Sequence, residues 1–330
     1  MTPLIIAVTF VILVLIAGLT AGPLIRGAAP ALMRMPRVAV AALIGVLAVW
    51  LAGLAAFGPM LAWVLAAPTG FLPGNTGEIC QRCLSAANPL PADRSFEAGI
   101  PAGVLLALPV VLIGAMLIGG VRHRRQQQRQ HKQLESALRL GARTTRLAGH
   151  VVTVIPHTEP TAFALSDRRW GIVISTELMR LLNADEMAAV IAHEAAHVRQ
   201  RHHLIIGLLH GILAPFRWIP LVASINAAIP HYLEMAADNA ARQRSGTDAV
   251  ASALLKIGEK GGPAAEQRVG GAVALHAAGI DRIRHLIAPP DASQGVWATA
   301  AIAVTTATLL VTSGFMLLPY WQAILAGCLI

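Results

Sequence analysis

Two histidines and a glutamate at helical spacing form the strongest chemical pattern in the sequence. His193, Glu194 and His197 make an H-E-x-x-H segment. On an α-helix the two histidines project from one face, one turn apart, which is the spacing of a pair of zinc ligands. Glu194 follows the first histidine and can take a proton from a water at the metal, because zinc lowers the pKa of that water to about 7. The segment therefore predicts a hydrolytic zinc site with Glu194 as general base.

The residues before this segment predict the helix that it needs. Asn183 is a suitable N-cap, and Glu186 stands three residues later, where the second member of a capping box belongs. Apolar residues then recur at helical spacing, at Met187, Val190 and Ile191. We therefore expect one helix that begins near residue 184 and carries both histidines.

A catalytic zinc ion needs a third protein ligand, and the sequence offers three candidates. His203 has the spacing of H-E-x-x-H-x-x-G-x-x-H, but Gln200 stands where a glycine would break the helix. We expect the helix to continue there and His203 to point away from the metal. His210 is the second candidate and lies in an apolar run. Glu234 is the third, and we favour it, because Asp238 follows one turn later and can orient a zinc-bound histidine.

The composition places much of the chain in a membrane. Of the 330 residues, 55% are hydrophobic and only 13% are charged, and the mean hydropathy is +0.62. A soluble domain carries about 25% charged residues, and the same figures exclude a disordered or collagen-like chain. The net charge of +9 fits basic residues that flank membrane spans, so we expect the lipid bilayer and not nucleic acid as a partner.

Four uncharged segments are long enough to cross a bilayer as helices. They lie at about residues 4–21, 38–67, 101–121 and 296–318. They divide the chain into a membrane region (1–121) with a loop at 68–100, a polar region (122–295) that holds all 12 histidines, and a last span with its tail (296–330). Chemistry is therefore expected in the polar region.

The basic residues next to the spans predict their orientation. Those after the first and third spans are Arg26, Arg34, Arg37, Arg122, Arg124, Arg125, Arg129 and Lys132. The loop at 68–100 carries more acids than basic residues. Because connections rich in Lys and Arg stay inside, we expect a multi-pass cell-membrane protein with both termini outside and residues 122–295 in the cytoplasm.

Two cysteines of the expected external loop, Cys80 and Cys83, form a C-x-x-C pair. A single pair of this kind is half a zinc site, and no nearby residues complete it. On the oxidising side of a membrane a disulfide is expected in preference to free thiols. A redox role is the weaker alternative.

The apolar segment 204–229 is also long enough to span, but it is interrupted by His210, Pro215, Arg217 and Pro220. A single crossing would put Glu234 on the opposite side of the membrane from His193 and His197. A shared zinc site forbids this. We therefore expect the segment to lie against the membrane or to enter it and return.

Two strands are predicted upstream of the histidine pair, at residues 151–155 and 170–175, with a turn at 166–169 between them. An edge strand beside a zinc helix can bind an extended peptide by backbone pairing. A strand buried in the sheet is the alternative at this stage.

Taken in order, these motifs resemble the BlaR/MecR-type antirepressor family of integral membrane zinc metallopeptidases. The resemblance is carried by three spans, P-x-A-F at 160–163, G-I-V-I-S-T at 171–176, H-E-x-x-H, R-H-H at 201–203, E-x-x-A-D at 234–238 and a closing span. It implies an α-helical membrane protein with four transmembrane helices and an inserted α+β zincin-like (gluzincin) metallopeptidase domain. The penicillin-binding sensor domain of that family's antibiotic sensors is not in this sequence, so we expect no direct sensing of β-lactams.

The resemblance also implies roles for individual residues. One Zn²⁺ ion would be bound by three side chains, His193, His197 and Glu234. Glu194 would be the catalytic base, and Asp238 would orient a zinc ligand. His231, one turn before the third ligand, is a candidate for stabilising the oxyanion. Arg282 lies in a late Arg-Ile element to which we assign no role.

The predicted function is hydrolysis of peptide bonds in a cytoplasmic protein, which the resemblance suggests is a BlaI-like transcriptional repressor. One alternative is a quality-control or processing peptidase that resembles the HtpX or CAAX-prenyl-protease type, which shares H-E-x-x-H and E-x-x-x-D. A second alternative is a non-catalytic membrane receptor that retains zinc, although Glu194 argues against it. The sequence leaves homo-oligomer formation open.

Overall fold

The computed structural model describes residues 2–67, 100–138, 141–165, 171–260, 282, 285–286, 291 and 293–327. Its helices are α1 (Thr2–Met33), α2 (Pro36–Leu65), α3 (Ala102–Leu138), α4 (Thr176–Leu181), α5 (Ala184–Arg199), α6 (His202–Ile212), α7 (Pro220–Ser245), α8 (Thr247–Lys260) and α9 (Val296–Gly327). Its strands are β1 (Ala66–Ala67), β2 (Ile100–Pro101), β3 (Arg143–Leu147), β4 (His150–Ile155), β5 (Ala162–Ala164) and β6 (Ile172–Ser175). The described chain is thus mostly helical.

Four of these helices are apolar and long enough to cross a membrane. The stretches that meet both conditions are Val8–Met33 in α1, Pro36–Gly58 in α2, Ala107–Gln130 in α3 and Val296–Phe315 in α9. Each overlaps one of the spans expected from the sequence. Large apolar side chains on their outer faces are well exposed, as a lipid-facing surface requires, and Leu117, Val304 and Val311 are examples.

The third span differs in length from its prediction. The structure has no break at residue 121, where the sequence suggested a boundary, because α3 continues as one helix through the Gln-rich stretch to Leu138. Straight-chain residues such as Gln, Arg and Lys are good helix formers, so the polar extension needs no apolar face to remain helical. The loop at 68–99, with Cys80 and Cys83, lies outside the described residues.

Segment 204–229 forms a helical hairpin. Helix α6 leads away from the histidine pair, a 3₁₀ turn follows at Ala214–Phe216, and α7 begins at Pro220 and runs back. The proline stands at the first helical position, where its missing N–H costs nothing. The chain therefore leaves the histidine pair along α6 and comes back to it along α7. How this hairpin sits in a bilayer stays a prediction.

Both arms of the hairpin pack against the expected spans. Helix α7 places Leu221, Ile225 and Ile229 in one buried core with residues of α1 and α2, among them Val14 and Trp50. Trp50 Nε1 donates a hydrogen bond of 3.0 Å to the carbonyl oxygen of Val14, which satisfies the indole N–H inside this core. The hairpin is therefore an integral part of the helical bundle.

Helices α3 and α6 approach each other closely at glycines. A Cβ atom added to Gly119 would lie 2.5 Å from the carbonyl oxygen of Gly211, and one added to Gly207 would lie 3.4 Å from the side chain of Gln127. The glycines at 207 and 211 form a G-x-x-x-G stripe, which allows two helix backbones to meet. This contact positions α6 along α3.

The four-stranded sheet has the order β3-β4-β6-β5. Strands β4 and β6 are parallel, and β3 and β5 pair antiparallel with them on the two outer sides. The strands predicted at 151–155 and 170–175 are confirmed within the described residues, although Trp170 and the turn at 166–169 lie outside them. Strand β3 was not predicted, because its sequence R-T-T-R-L is polar and four of its five residues are exposed.

Helix α5 lies between this sheet and helices α7 and α8. Its residues Met187, Val190 and Ile191 are buried with Val152 and Ile174 of the sheet. From α8, the same core receives Val250, Ala253, Leu254 and Ile257. The helix with the histidine pair is thus held on several sides, which restricts the positions of its polar side chains.

Candidate metal centre

The start of α5 is fixed by the capping box that the sequence predicted. The Oδ1 atom of Asn183 accepts a hydrogen bond of 2.9 Å from the N–H of Glu186, and the N–H of Asn183 donates one of 2.9 Å to Oε2 of Glu186. The same carboxylate accepts hydrogen bonds from Ser252 (2.6 Å) and Lys256 (2.8 Å) of α8. Glu186 therefore caps the N-terminus of α5 and also connects this helix to α8.

The side chains of His193, His197 and Glu234, which the sequence predicts as metal ligands, lie together in the structure. We call these three side chains the metal group. The Nε2 atoms of His193 and His197 lie 3.0 Å apart, and the two carboxylate oxygens of Glu234 lie 3.4 Å from one or the other of them. Two atoms that each lie about 2.0–2.1 Å from a tetrahedral zinc ion are about 3.3 Å apart. Two imidazole nitrogens and a carboxylate at these separations fit such an ion and leave a fourth position free. The possible ligand atoms of the three side chains all lie within 4.8 Å of one another.

The metal group opens to its surroundings on one side. The side chains of His193 and Glu234 are each 4% exposed, whereas that of His197 is 15% exposed. Burial would raise the pKa of Glu234, but the hydrogen bond from His193 and the positive charges of His197, His193 and Arg282 outweigh it and hold this pKa at about 2, so Glu234 stays ionised. Burial, together with the charge of a protonated His193, lowers the pKa of His197 to about 3. Against its burial, the contacts with Asp238 and Glu234 raise the pKa of His193 to about 10, so a metal ion at Nε2 of His193 would displace a proton from that ring.

Glu194 lies next to this group and is 3% exposed. Burial, aided by the negative charge of Glu234, raises its pKa to about 7, although His193, Arg282 and a hydrogen bond from the backbone of Ala164 oppose this shift. A carboxyl group with a pKa near neutrality can both accept and return a proton at physiological pH. The hydrogen bond also connects Glu194 to strand β5 at the edge of the sheet.

Asp238 supports the metal group from behind, as the E-x-x-A-D pattern suggested. Its Oδ1 atom lies 2.9 Å from Nδ1 of His193, and its side chain is 1% exposed. Metal-binding histidines typically face a carboxylate with their second ring nitrogen, which fixes the ring orientation. The short distance brings a carboxylate to the second ring nitrogen of His193, and the orienting role of Asp238 stays a prediction.

Arg282 contacts the buried carboxylates of both Asp238 and Glu234. The sequence did not predict this contact. Its Nε and Nη2 atoms donate hydrogen bonds of 2.7 and 2.6 Å to the two oxygens of Asp238, and its Nη1 atom lies 3.4 Å from Oε2 of Glu234. The guanidinium group is fully buried. Its contacts with Asp238 and Glu234 lower the pKa of Asp238 and raise its own. The only hint in the sequence was the late Arg-Ile element.

The prediction that the zinc helix continues past Gln200 is wrong. Helix α5 ends at Arg199, and Arg201 has φ 55° and ψ 37°, in the left-handed region. This break without a glycine starts α6 at His202 and turns that side chain inward. His202 is 2% exposed, and its Nδ1 atom lies 3.0 Å from Nδ1 of His197. His203 is exposed and does not join the metal group, as expected, but for a different reason.

The other two candidates, His210 and His231, are not among the three side chains whose ligand atoms come together. His210 is on α6 with its ring 6.1 Å from that of His123, far along the hairpin from the histidine pair. His231 is half-buried, and its ring lies 6.0 Å from that of Tyr232. The oxyanion role of His231 stays a prediction.

The region with the site is similar to known peptidases. Residues 123–255 match the model of Peptidase family M48. The chain is 31% identical over 159 residues to Protease HtpX homolog of Thermococcus kodakarensis, covering 37% of this chain and 53% of the relative. It is 35% identical over 144 residues to Protease HtpX homolog of Pyrococcus abyssi, which covers 33% of this chain and 50% of the relative. It is 33% identical over 85 residues to Protease HtpX of Thioalkalivibrio sulfidiphilus, which covers 25% of this chain and 29% of the relative.

These matches cover only part of this chain and part of each relative. The chain spans about half the length, or less, of the curated relatives it matches, and no solved structure matches it at a significant level. The matches support a membrane metallopeptidase and favour the HtpX-like alternative over the antirepressor resemblance. The matched region contains His193, Glu194, His197, Glu234 and Asp238. The part of the chain that builds the metal centre is therefore similar to the peptidases of family M48.

Proposed function

We propose that this protein is a membrane zinc metalloendopeptidase of the M48 type, similar to the HtpX proteases. One observation carries the proposal: two histidines and a glutamate converge at ligand distances beside a buried glutamate. Zinc suits a set of two imidazoles and one carboxylate with an open fourth position. The match of residues 123–255 to Peptidase family M48 supports peptide bonds as the substrate.

The roles of the protein's own groups follow from their positions. A zinc ion in this site supplies a Lewis acid that polarises the scissile carbonyl and acidifies water. Glu194 accepts the proton of the attacking water and returns it to the nitrogen of the leaving amine. Its burial beside the three predicted ligands supports both steps, because a general base must lie within reach of the proton that it transfers. Asp238 holds the ring of His193 in place during both.

The sheet beside the site suggests how a peptide is held. Strand β5 is at one end of the strand order and pairs with β6 on its inner side. Its residue Ala164 contacts Glu194 through the backbone. An extended peptide that paired with the outer edge of β5 would pass directly by the proposed base. We therefore propose an unfolded or extended segment of a protein as substrate.

We propose further that the protein sits in the cell membrane with its metal centre on the cytoplasmic side. The support is the set of basic residues after the first and third spans. The HtpX-type relatives favour membrane-protein quality control over cleavage of a single repressor. These two readings differ in substrate range and not in chemistry.

Replacing Glu194 by Gln tests the mechanism. We expect Glu194→Gln to bind zinc as the wild type does and to lose cleavage of an unfolded protein by about a hundredfold to ten-thousandfold, the range for a general base. Purified protein in detergent is assayed for zinc content and for cleavage of a casein-like substrate. Glu159→Gln, which alters an exposed carboxylate, is the matched control and should stay fully active. An active Glu194→Gln enzyme would refute the mechanism.

Comparing the proteomes of cells that express wild type or Glu194→Gln separates the substrate classes. Quality control predicts that many membrane proteins accumulate in the variant, whereas regulated proteolysis predicts that one repressor does. If neither proteome changes and the wild type binds zinc without cleaving protein, the chain is a receptor and not an enzyme.

A further inference from the structure

A line of polar contacts connects the metal group to the short connection between the first two expected spans. From His197, the Nδ1 atom lies 3.0 Å from Nδ1 of His202. The Nε2 atom of His202 lies 3.1 Å from Oε1 of Gln200. Arg37, the second residue of α2, donates from Nε to the same oxygen at 3.1 Å. Sequence positions 37 and 200 are thus joined beside the metal centre.

The direction of each hydrogen bond can be assigned from chemistry. Nε2 of His197 faces His193 and Glu234, so that nitrogen keeps its lone pair for a metal and the ring proton is on Nδ1. That proton can only be donated, and Nδ1 of His202 accepts it. The proton of His202 is then on Nε2 and is donated to Gln200.

The amide of Gln200 is oriented by its two neighbours. An arginine side chain has donors and no acceptor, so the amide atom that faces Nε of Arg37 is the oxygen. Its two lone pairs accept from Arg37 and from His202. The four groups therefore form one continuous series with a single consistent set of protons.

The local backbone makes this series specific. The left-handed conformation of Arg201 ends α5 and brings His202 back toward His197, one turn of helix before it. His202 is 2% exposed, so few other orientations are open to its ring. A left-handed backbone at a residue other than glycine is strained and persists only where the surrounding structure holds it. At Arg201 this conformation brings the acceptor nitrogen of His202 to His197.

We propose that His202 is the positioning residue for His197 and that Arg37 anchors it to the first turn of α2. His193 has a carboxylate behind it, and His202 gives the second histidine its own partner. Arg37 makes metal retention depend on the arrangement of the first two spans. The inference rests on the proposed function in one respect, namely that the site binds a divalent metal.

Metal affinity measured with His202 variants tests the first part. Full-length protein in detergent is titrated with Zn²⁺ against a chelator, and with Co²⁺ to record the visible d–d spectrum. Removing a partner of this kind lowers metal affinity by about tenfold to a hundredfold, which we expect for His202→Leu, with a shifted Co²⁺ spectrum. His202→Asn should recover most of this loss and bind metal about threefold to tenfold more weakly than the wild type, because its Oδ1 atom stands where Nδ1 stood and accepts the same proton, while the contact of Nε2 with Gln200 is lost.

The outcomes separate the two proposals. If the wild type binds neither Zn²⁺ nor Co²⁺, the proposed function is refuted. If the wild type binds metal and His202→Leu matches it in affinity and spectrum, the positioning role is refuted. If His202 mattered only for folding, His202→Leu and His202→Asn would lose metal affinity equally. That result would also refute the positioning role, because this role predicts that Asn restores most of the affinity and Leu does not.

Arg37→Ala tests the connection to the spans. We expect it to weaken metal binding by about threefold to tenfold, because it leaves His202 in place but frees Gln200. Arg34→Ala removes an equal charge from an exposed arginine between α1 and α2 and should have no effect. Combined with His202→Leu, Arg37→Ala should cause no further loss. Equal effects of the two arginine variants, or additive effects in the combination, would overturn the connection.

Discussion

Replacing Arg282 by Met removes a buried positive charge from between two buried carboxylates. Arg282 is 0% exposed, Asp238 is 1% exposed and Glu234 is 3% exposed. Arg282 forms two short hydrogen bonds with Asp238. The variant would leave both acids without this partner in the interior. Breaking a buried ion pair on one side costs about 3–5 kcal/mol.

This free energy converts into a measurable thermal shift. For a domain of 150–250 residues, 1 kcal/mol changes Tm by about 2–4 °C. We therefore expect Arg282→Met to lower the Tm of the metal-free protein by about 6–20 °C. Thermal unfolding in detergent, followed by tryptophan fluorescence, measures this shift. A bound divalent cation should reduce it, because the metal also neutralises Glu234.

Two controls test the reasoning. Arg180→Met removes an arginine whose side chain is 79% exposed, and it should change stability by less than about 1 kcal/mol, as exposed ion pairs do. Adding Asp238→Asn to Arg282→Met should recover part of the loss, because one uncompensated charge disappears. An Arg282→Met protein that melts within 2 °C of Arg180→Met would show that Arg282 does not stabilise these acids.

Two further predictions concern the supports of the site. Hydrogen bonds from Lys256, Ser252 and the backbone of Asn183 outweigh burial and lower the pKa of Glu186 below its ordinary 4.5, so Glu186→Gln should cost about 1 kcal/mol at pH 7. The difference in stability between wild type and Glu186→Gln, measured by thermal unfolding, should stay constant above pH 4.5. It should shrink as the pH falls through the lower pKa that Glu186 has in the folded protein. A difference in stability that grows on acidification would contradict this prediction. Gly119→Leu should disrupt the contact of α3 with α6 and lower Tm in detergent, because its Cβ would lie 2.5 Å from a backbone oxygen. Gly114→Leu on the same helix meets open space and should fold normally; equal Tm values for the two variants would contradict the packing.

The parts of the site that depend on local spacing could be predicted from sequence. His193 and His197 share a helix face because four residues make about one turn, and the same rule placed Asp238 one turn after Glu234. The N-cap at Asn183 followed from the chemistry of its side chain alone. Each of these inferences needs only the geometry of one helix.

The missed features depend on contacts between distant segments. Arg282 lies 44 residues after Asp238, and no local pattern indicates that a basic residue will be buried there. The helix break at Arg201 uses a left-handed residue that is not glycine, so the usual signal was absent. Strand β3 carries polar residues because both of its faces are largely exposed, and its position in the sheet depends on backbone hydrogen bonds with β4.

Helix α7 is 26 residues long and extends through two hydrophobic cores, so it couples the folding of one to the folding of the other. Its N-terminal half, with Ile225 and Ile229, belongs to the core of the spans, and its C-terminal half, with Ala241, belongs to the core behind α5. One rigid rod is therefore common to the lipid-facing bundle and to the metal centre, and Glu234 lies between the two. Loosening the bundle, with a harsh detergent for example, displaces the third ligand directly. A fragment without α1 and α2 would expose the apolar half of this helix to water, so the catalytic region and its anchor unfold as one unit.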